Sequence, residues 1–234
     1  MAIKEGKKQQ VRSMFNNIAH RYDFLNHFLS AGIDYRWRQK AIKIIGQKHP
    51  KSILDVATGT GDLAITALKI KPEKIAGIDI AEDMLAVGRK KLKKKDPENI
   101  ILLEKGDSEN LQFDAFTFDA VMVAFGVRNF ENLEKGLSEM YRVLNKGGQV
   151  MILEFSKPKA FPVKQLYAFY FKYILPSLGR LISGDQAAYT YLPESVSEFP
   201  DGENFLKILQ KVGFKHIAHK PLTFGIASIY TGIK

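Results

Sequence analysis

Residues 53–62 read Ile-Leu-Asp-Val-Ala-Thr-Gly-Thr-Gly-Asp. The apolar run Ile53–Ala57 stops at Gly59-Thr60-Gly61, and an amphipathic segment opens at Asp62. A buried strand, a glycine turn and a helix start in that order leave room for a nucleotide-like cofactor outside the carboxyl end of the strand in an α/β sheet. Asp79 closes the next apolar run, Ile75–Ile80, at about the ~20 residues from the glycines expected of a ribose-binding carboxylate. A helix N-cap ahead of Ala81-Glu82-Asp83 is the competing role for Asp79, and the two are compatible. Asp107-Ser108 follow the third apolar run and can reach an adenine, with Asp107 accepting from its exocyclic amine; an ordinary polar turn is the alternative. Thr60 offers a backbone or hydroxyl contact to the cofactor.

The elements that would position these groups alternate. Strands are expected at 52–57, 74–79, 100–104, 118–124 and 149–154, and helices at 62–70, 82–95 and 131–144, with Gly147-Gly148 as a turn. Such alternation means parallel strands joined by crossover helices. After a helix at 202–212, strands 214–220 and 224–231 are close enough to form an antiparallel hairpin at the sheet edge. The expected fold is therefore α/β, a seven-stranded, mostly parallel sheet with an antiparallel C-terminal hairpin. Residues 1–50 read as a helical cap, from Val11, Phe15, Ile18 and Tyr22 at spacings of three and four. Residues 51–234 form the main domain, with an aromatic-rich insertion at about 155–200.

Gly59-Thr60-Gly61-Asp62-Leu63-Ala64 also fits a dinucleotide fingerprint, Ala64 taking the third glycine position. Three features point instead to S-adenosyl-L-methionine. A carboxylate at Asp62 would repel a pyrophosphate but tolerate a sulfonium or ammonium. The glycine strand follows a helical cap, whereas dinucleotide domains start at that strand. The closing strand pair is antiparallel. Together these describe the class I methyltransferase version of the doubly wound sheet.

Bulk properties set outer limits. The chain has 234 residues, 45% of them hydrophobic, and no cysteine, which excludes disulfides and thiolate chemistry. No apolar stretch reaches the ~20 residues that span a bilayer, and Met1–Gln10 lacks the apolar core of a signal peptide. The expectation is a cytoplasmic protein. A net charge of +10 suits nucleic acid or an anionic membrane. No nucleic-acid module accompanies the basic run Arg89–Lys95, which reads as a solvated helix end. No metal-ligand pattern is present.

Six segments resemble the ubiquinone/menaquinone-biosynthesis C-methyltransferases, the UbiE/MenG family: 14–26, 30–38, 55–62, Phe125-Gly126-Val127-Arg128-Asn129-Phe130, 140–144 and Leu153-Glu154-Phe155-Ser156-Lys157-Pro158. The glycine loop is shared by many methyltransferases; the Tyr22-Asp23 cap, the Phe-Gly-Val-Arg-Asn segment and Leu-Glu-Phe-Ser-Lys-Pro are narrower. The resemblance covers nearly the whole chain. It implies methyl transfer from S-adenosyl-L-methionine to a ring carbon of a polyprenylated quinol, in the menaquinone branch demethylmenaquinol. The benzoquinol of ubiquinone synthesis is the alternative, and a non-catalytic cofactor-binding scaffold the alternative outside enzymology. The implied cofactor contacts fall on Thr60, Asp79, Asp107 and Ser108, with Gly59 and Gly61 shaping the loop. Ala124 stands where some relatives carry serine.

Methylating an aromatic carbon needs an electron-rich ring, which a deprotonated quinol supplies, and a group that assists proton loss. Arg128 can stabilise the phenolate or orient a water, and Asn129 can fix a ring oxygen; a structural ion pair is the competing role for Arg128. Tyr22 can contact cofactor or quinol from a closing cap, or simply pack there. His20 and His27 read as helix-surface residues before bases. In the insertion, Tyr167 and Phe171 either pack on the sheet or line an entrance for the prenyl tail, with Lys164, Lys172 and Arg180 meeting lipid headgroups. The expected partners are the quinol, transiently an anionic membrane face, and a second copy as a candidate homodimer.

Overall fold

Seven strands are built from the apolar segments: β1 (Ser52–Val56), β2 (Lys74–Asp79), β3 (Ile101–Lys105), β4 (Phe118–Ala124), β5 (Leu144–Phe155), β6 (Lys215–Leu222) and β7 (Ala227–Ile233). In this computed structural model, which describes residues 6–30, 32–174 and 186–234, they form one sheet in the order β3-β2-β1-β4-β5-β7-β6. β1 to β5 pair in parallel. β7 is antiparallel to both β5 and β6. The order reverses between β1 and β4, the switch point at which an open α/β sheet holds its ligand.

Helices cover both faces: α1 (Lys7–Leu29), α2 (Ile33–Ile45), α3 (Asp62–Ala67), α4 (Glu82–Lys95), α5 (Leu133–Val143), α6 (Val163–Phe169), α7 (Gln186–Glu198) and α8 (Glu203–Val212). Side chains alternate across each strand. Ile53, Ile75, Met122 and Leu153 face Trp37, Ala41 and Ile42 of α2 and Leu63 and Ala67 of α3. Leu54, Val121, Val123 and Ile152 face Leu137 and Met140 of α5 and Phe205 and Leu209 of α8. β1 is buried from end to end, as a central parallel strand must be.

The largest boundary difference from expectation has an identifiable reason. β5 begins at Leu144, directly after α5, and not at 149. Gly147-Gly148 form a bulge within the strand: Phe118 pairs with Leu144 while Ala120 pairs with Gln149. A Cβ at Gly148 would stand 2.9 Å from the Asn145 carbonyl oxygen, so only glycine lets the bulge close. In the cap, α2 puts Trp37, Ala41, Ile42 and Ile45 into the main core. α1 instead lies over the carboxyl ends of the strands, seating Ala19 on Ala81 and Met84 with Phe15 and Tyr22 beside them. Within the insertion, α6 runs into a wider π turn at Tyr170–Ile174. Arg180 falls outside the described residues.

Phe205 is fully buried and packs edge-on against Tyr230 with ring centroids 4.8 Å apart, whereas Phe224 is 80% exposed. Phe205→Ala is expected to cost about 3–5 kcal/mol in urea unfolding. Phe224→Ala should stay within about 0.5 kcal/mol of the parent.

Candidate active site

The glycine turn at the end of β1 is left-handed at Gly59 (φ 57°) and Gly61 (φ 80°). A Cβ on Gly59 would lie 3.3 Å from Met84 Cε, so backbone freedom and close approach both call for glycine. The Gly59 N–H donates to Asp79 Oδ2 at 2.9 Å, and the Ala81 N–H donates to Asp79 Oδ1 at 2.8 Å. Asp79 thus caps the turn into α4 and also ties the β1 and β2 ends together. Each carboxylate oxygen keeps accepting capacity. Burial pushes the Asp79 carboxyl up, with the N–H groups of Ala81, Gly59 and Ile80 opposing it.

A crevice with about 650 Å³ of empty space opens here, walled by Gly59, Asp79, Met84, Asp107, Ser108 and Phe125. Asp107 accepts from Lys8 Nζ at 2.8 Å and from the Glu109 N–H at 2.9 Å. Burial alone would raise its carboxyl, but the Lys8 hydrogen bond and the Glu109 N–H hold it below the usual range. α1 therefore reaches across the crevice at both ends, through Lys8 and Tyr22.

Thr60 is turned the other way. Its hydroxyl donates to Asp23 Oδ1 at 2.5 Å and accepts from Lys91 Nζ at 3.0 Å. Asp62 also binds Lys91 and stands 3.5 Å from His27 Nε2 and 3.8 Å from Arg38. Its charge is spent on the cap and α4 and does not face the crevice. The repulsion argument from Asp62 therefore does not separate a pyrophosphate from a sulfonium; the helical cap ahead of β1 and the antiparallel β7 are the features left to do so. Lys91 likewise leaves the solvated helix end that the basic run suggested.

Tyr22 and Phe125 stand between the crevice and a second cavity of about 750 Å³, which Arg38, Arg128, Phe155 and Tyr191 help to wall. Burial pushes the Tyr22 hydroxyl up, so it stays protonated at neutral pH. Arg128 is fixed by Glu154, with Nη1 to Oε1 at 2.9 Å and Glu154 wholly buried. Nε donates to Ser195 Oγ at 3.3 Å and Nη1 also donates to the Phe125 carbonyl. Burial raises the Glu154 carboxyl and Arg128 opposes it. Asn129 lines the crevice and accepts from the Tyr191 hydroxyl at 3.0 Å. A third, strongly apolar cavity of about 1430 Å³ shares Asn26, Ser30, Phe155 and Leu192 with the second and is walled by Leu166, Tyr167 and other aromatic side chains of the insertion.

The model of the ubiE/COQ5 methyltransferase family matches residues 3–234. The chain belongs to that family. A demethylmenaquinone methyltransferase of Bacteroides fragilis is 50% identical over 232 residues, 98% of this chain and 95% of that protein. The ubiquinone/menaquinone biosynthesis C-methyltransferase UbiE of Geobacter sulfurreducens is 47% identical over 97% of this chain and 90% of its own. Among solved structures, a SAM-dependent methyltransferase of Thermotoga maritima superposes with TM-score 0.65 at 18% identity, covering 93% of this chain and 98% of its own. The [4+2]-cyclase SpnF does so at 0.66 and 15% identity, covering 98% and 97%. A cyclase on this fold shows that architecture alone does not fix the reaction.

S-adenosyl-L-methionine is the family's cofactor, and the crevice suits it. Asp79 keeps lone pairs for two ribose hydroxyls, and Gly59 keeps its floor clear of side chain. Asp107 and Ser108 stand at the far end, and Ala124, where some relatives carry serine, presents a methyl. We propose these as the cofactor contacts; the Thr60 hydroxyl is taken by Asp23 and Lys91, which leaves its backbone for the contact expected of it.

Two features escaped the sequence reading. The cap carries a buried Asp34–Arg38 pair at 2.5 Å, legible only as an i,i+4 spacing, with His27 Nδ1 2.7 Å from Asp34 Oδ2. His27 therefore bridges cap and loop, while His20 is exposed. Asp55 on β1 is 1% exposed and accepts from Thr58 Oγ1 at 2.6 Å, but its Oδ1 has no partner among the described residues. Burial, opposed by Thr58 and Ala64, pushes its carboxyl up to about 7.

Between the unfolded value near 4 and about 7, the native state holds the extra Asp55 proton, so this residue's contribution to stability falls as pH rises through that window. Asp55→Asn should remove that fall. Urea unfolding of both proteins at pH 5 and pH 8 is expected to show a larger loss on the alkaline side for the parent; equal losses would contradict the assignment.

Proposed function

We propose that this protein methylates a ring carbon of demethylmenaquinol, using S-adenosyl-L-methionine, to give menaquinol. The observation that carries this reading is the apolar cavity that shares its inner wall with the cavity beside the crevice. A quinol head at the Tyr22–Phe125 boundary would leave its prenyl tail in that apolar space. Relatives named demethylmenaquinone methyltransferase, in Bacteroides fragilis, Porphyromonas gingivalis and Chlorobaculum tepidum at 50, 46 and 44% identity, support the naphthoquinol branch. The relatives named for both quinones keep the benzoquinol as the second reading.

S-adenosyl-L-methionine supplies a methyl group activated by a sulfonium. The chain's own residues must hold the quinol and favour its deprotonated form. Arg128 Nη2 has no hydrogen-bond partner among the described residues, while Nη1 and Nε are tied down. The guanidinium therefore presents one edge in a fixed direction and can donate to a phenolate oxygen. The Tyr167 hydroxyl is buried with no hydrogen-bond partner among the described residues, and burial raises its pKa, so it remains a donor at the wall of the apolar cavity. Among the described residues Asn129 Nδ2 has one hydrogen bond, a long 3.5 Å contact to the Phe125 carbonyl, while Tyr191 holds its Oδ1, so Nδ2 keeps donor capacity for a ring oxygen. The proton acceptor in this scheme is a water oriented by Arg128, since guanidinium itself stays protonated.

No helix among the described residues is long and apolar enough to cross a membrane. A lipid-borne quinol must still be reached. Phe161 and Phe224, 82% and 80% exposed, come from separate chain segments beside the apolar cavity, with Leu166 and Phe169 at its wall also exposed. Lys159 and Lys164 are exposed next to them. This face fits the anionic surface of a membrane.

A methylation assay with both acceptors should give the higher kcat/KM for the naphthoquinol. Preference for the benzoquinol would move the enzyme to the ubiquinone branch, and cofactor binding without methylation of either would leave a scaffold. In vesicle sedimentation with phosphatidylglycerol, replacing Phe161 and Phe224 by serine should release the protein. Unchanged sedimentation would exclude this face as the contact.

A further inference from the structure

The crevice accounts for the adenine and ribose ends of the cofactor but not for its amino-acid end, which carries a carboxylate. A helix N-terminus is the usual anion site in such folds, but α3 has only six residues and opens on Asp62. A cation is the strongest remaining partner for a carboxylate, and most of the nearby ones are committed. Lys91 donates to Asp23, Thr60 and Asp62, which uses all three of its N–H groups. Both ring nitrogens of His27 face carboxylates, Asp34 and Asp62. Arg128 is held by Glu154, Phe125 and Ser195 on the quinol side.

Arg38 is different. It is 6% exposed and stands on the wall of the second cavity with Phe15, Tyr22 and Phe125, the three residues that also wall the crevice. Nη1 donates to Asp34 Oδ2 at 2.5 Å, and the contact to Asp62 is 3.8 Å. Nε and Nη2 have no hydrogen-bond partner among the described residues. Asp34 is itself fixed by Ser30 Oγ at 2.7 Å and His27 Nδ1 at 2.7 Å, so the guanidinium is aimed before any ligand arrives. A planar fork with free donors, buried and oriented, matches a carboxylate. Asp34 and Asp62 would oppose a lone anion there, but the amino-acid end also brings an ammonium and arrives with no net charge.

We infer that Arg38 binds the carboxylate of the cofactor's amino-acid end. The inference rests on the reading of the crevice as an S-adenosyl-L-methionine site. It is tested by calorimetric binding of two probes, S-adenosylhomocysteine and 5′-methylthioadenosine, which lacks the amino acid. Arg38→Met should weaken S-adenosylhomocysteine by about 10- to 100-fold, leave 5′-methylthioadenosine within about threefold, and so certify that the crevice is intact. Arg38→Lys should recover part of the loss. An equal loss for both probes would make Arg38 a structural residue of the cap, and no loss for either would place the carboxylate elsewhere; both overturn the inference. If the parent protein bound neither probe, the cofactor reading itself would fall.

Discussion

The hydrogen bond from the Gly59 N–H to the Asp79 carboxylate, at 2.9 Å, is the constraint around which the site is arranged. β1 and β2 run parallel and end side by side, and each chain must leave the sheet for a helix without filling the gap between them. A left-handed turn after β1 and a short capped turn after β2 solve this, and Asp79 serves both because each of its oxygens takes one backbone N–H. The crevice, its floor and its carboxylate are thus products of one arrangement. Moving any part of it would displace the position against which Tyr22, Phe125 and Asn129 are set.

The cap is joined to this turn by charge. Asp23 and Thr60 share Lys91, Asp62 stands among Lys91, His27 and Arg38, and Asp34 orients Arg38. Exposed ion pairs contribute little, but these are half-buried or buried and mutually hydrogen-bonded, which makes them directional. α1 is held over the crevice by this network and by Lys8 at the opposite end, while its apolar face rests on Ala81 and Met84. An acceptor bound beyond Tyr22 is thereby covered on the cap side.

Much of this was legible in the residues. The runs that become β2 and β4 stand at 74–79 and 118–124 as read, because strands buried on both faces are continuous apolar segments with sharp ends. Asp79 was marked by its spacing alone. The start of β5 was not legible, since Gly147-Gly148 signals a turn and only the pairing with β4 makes it a bulge. Nor was the direction in which Thr60 and Asp62 point, because a helix start allows either side of the loop and the choice was made by Lys91, about thirty residues away.

By itself the sequence determined the alternation of strands and helices, the glycine turn, the acidic residue one strand on, and the family to which the Tyr-Asp cap and the Phe-Gly-Val-Arg-Asn segment belong. These depend on periodicity and local backbone chemistry, which neighbours along the chain decide. Only the tertiary structure decided which charges face the crevice and which are spent on one another. It paired Arg128 with Glu154, set Arg38 on Asp34 with its other edge open, and placed the aromatic insertion beside the cavity that Arg128 walls. Partner choice among charged side chains is a matter of distance and burial across the fold, and neither quantity is written in the order of the residues.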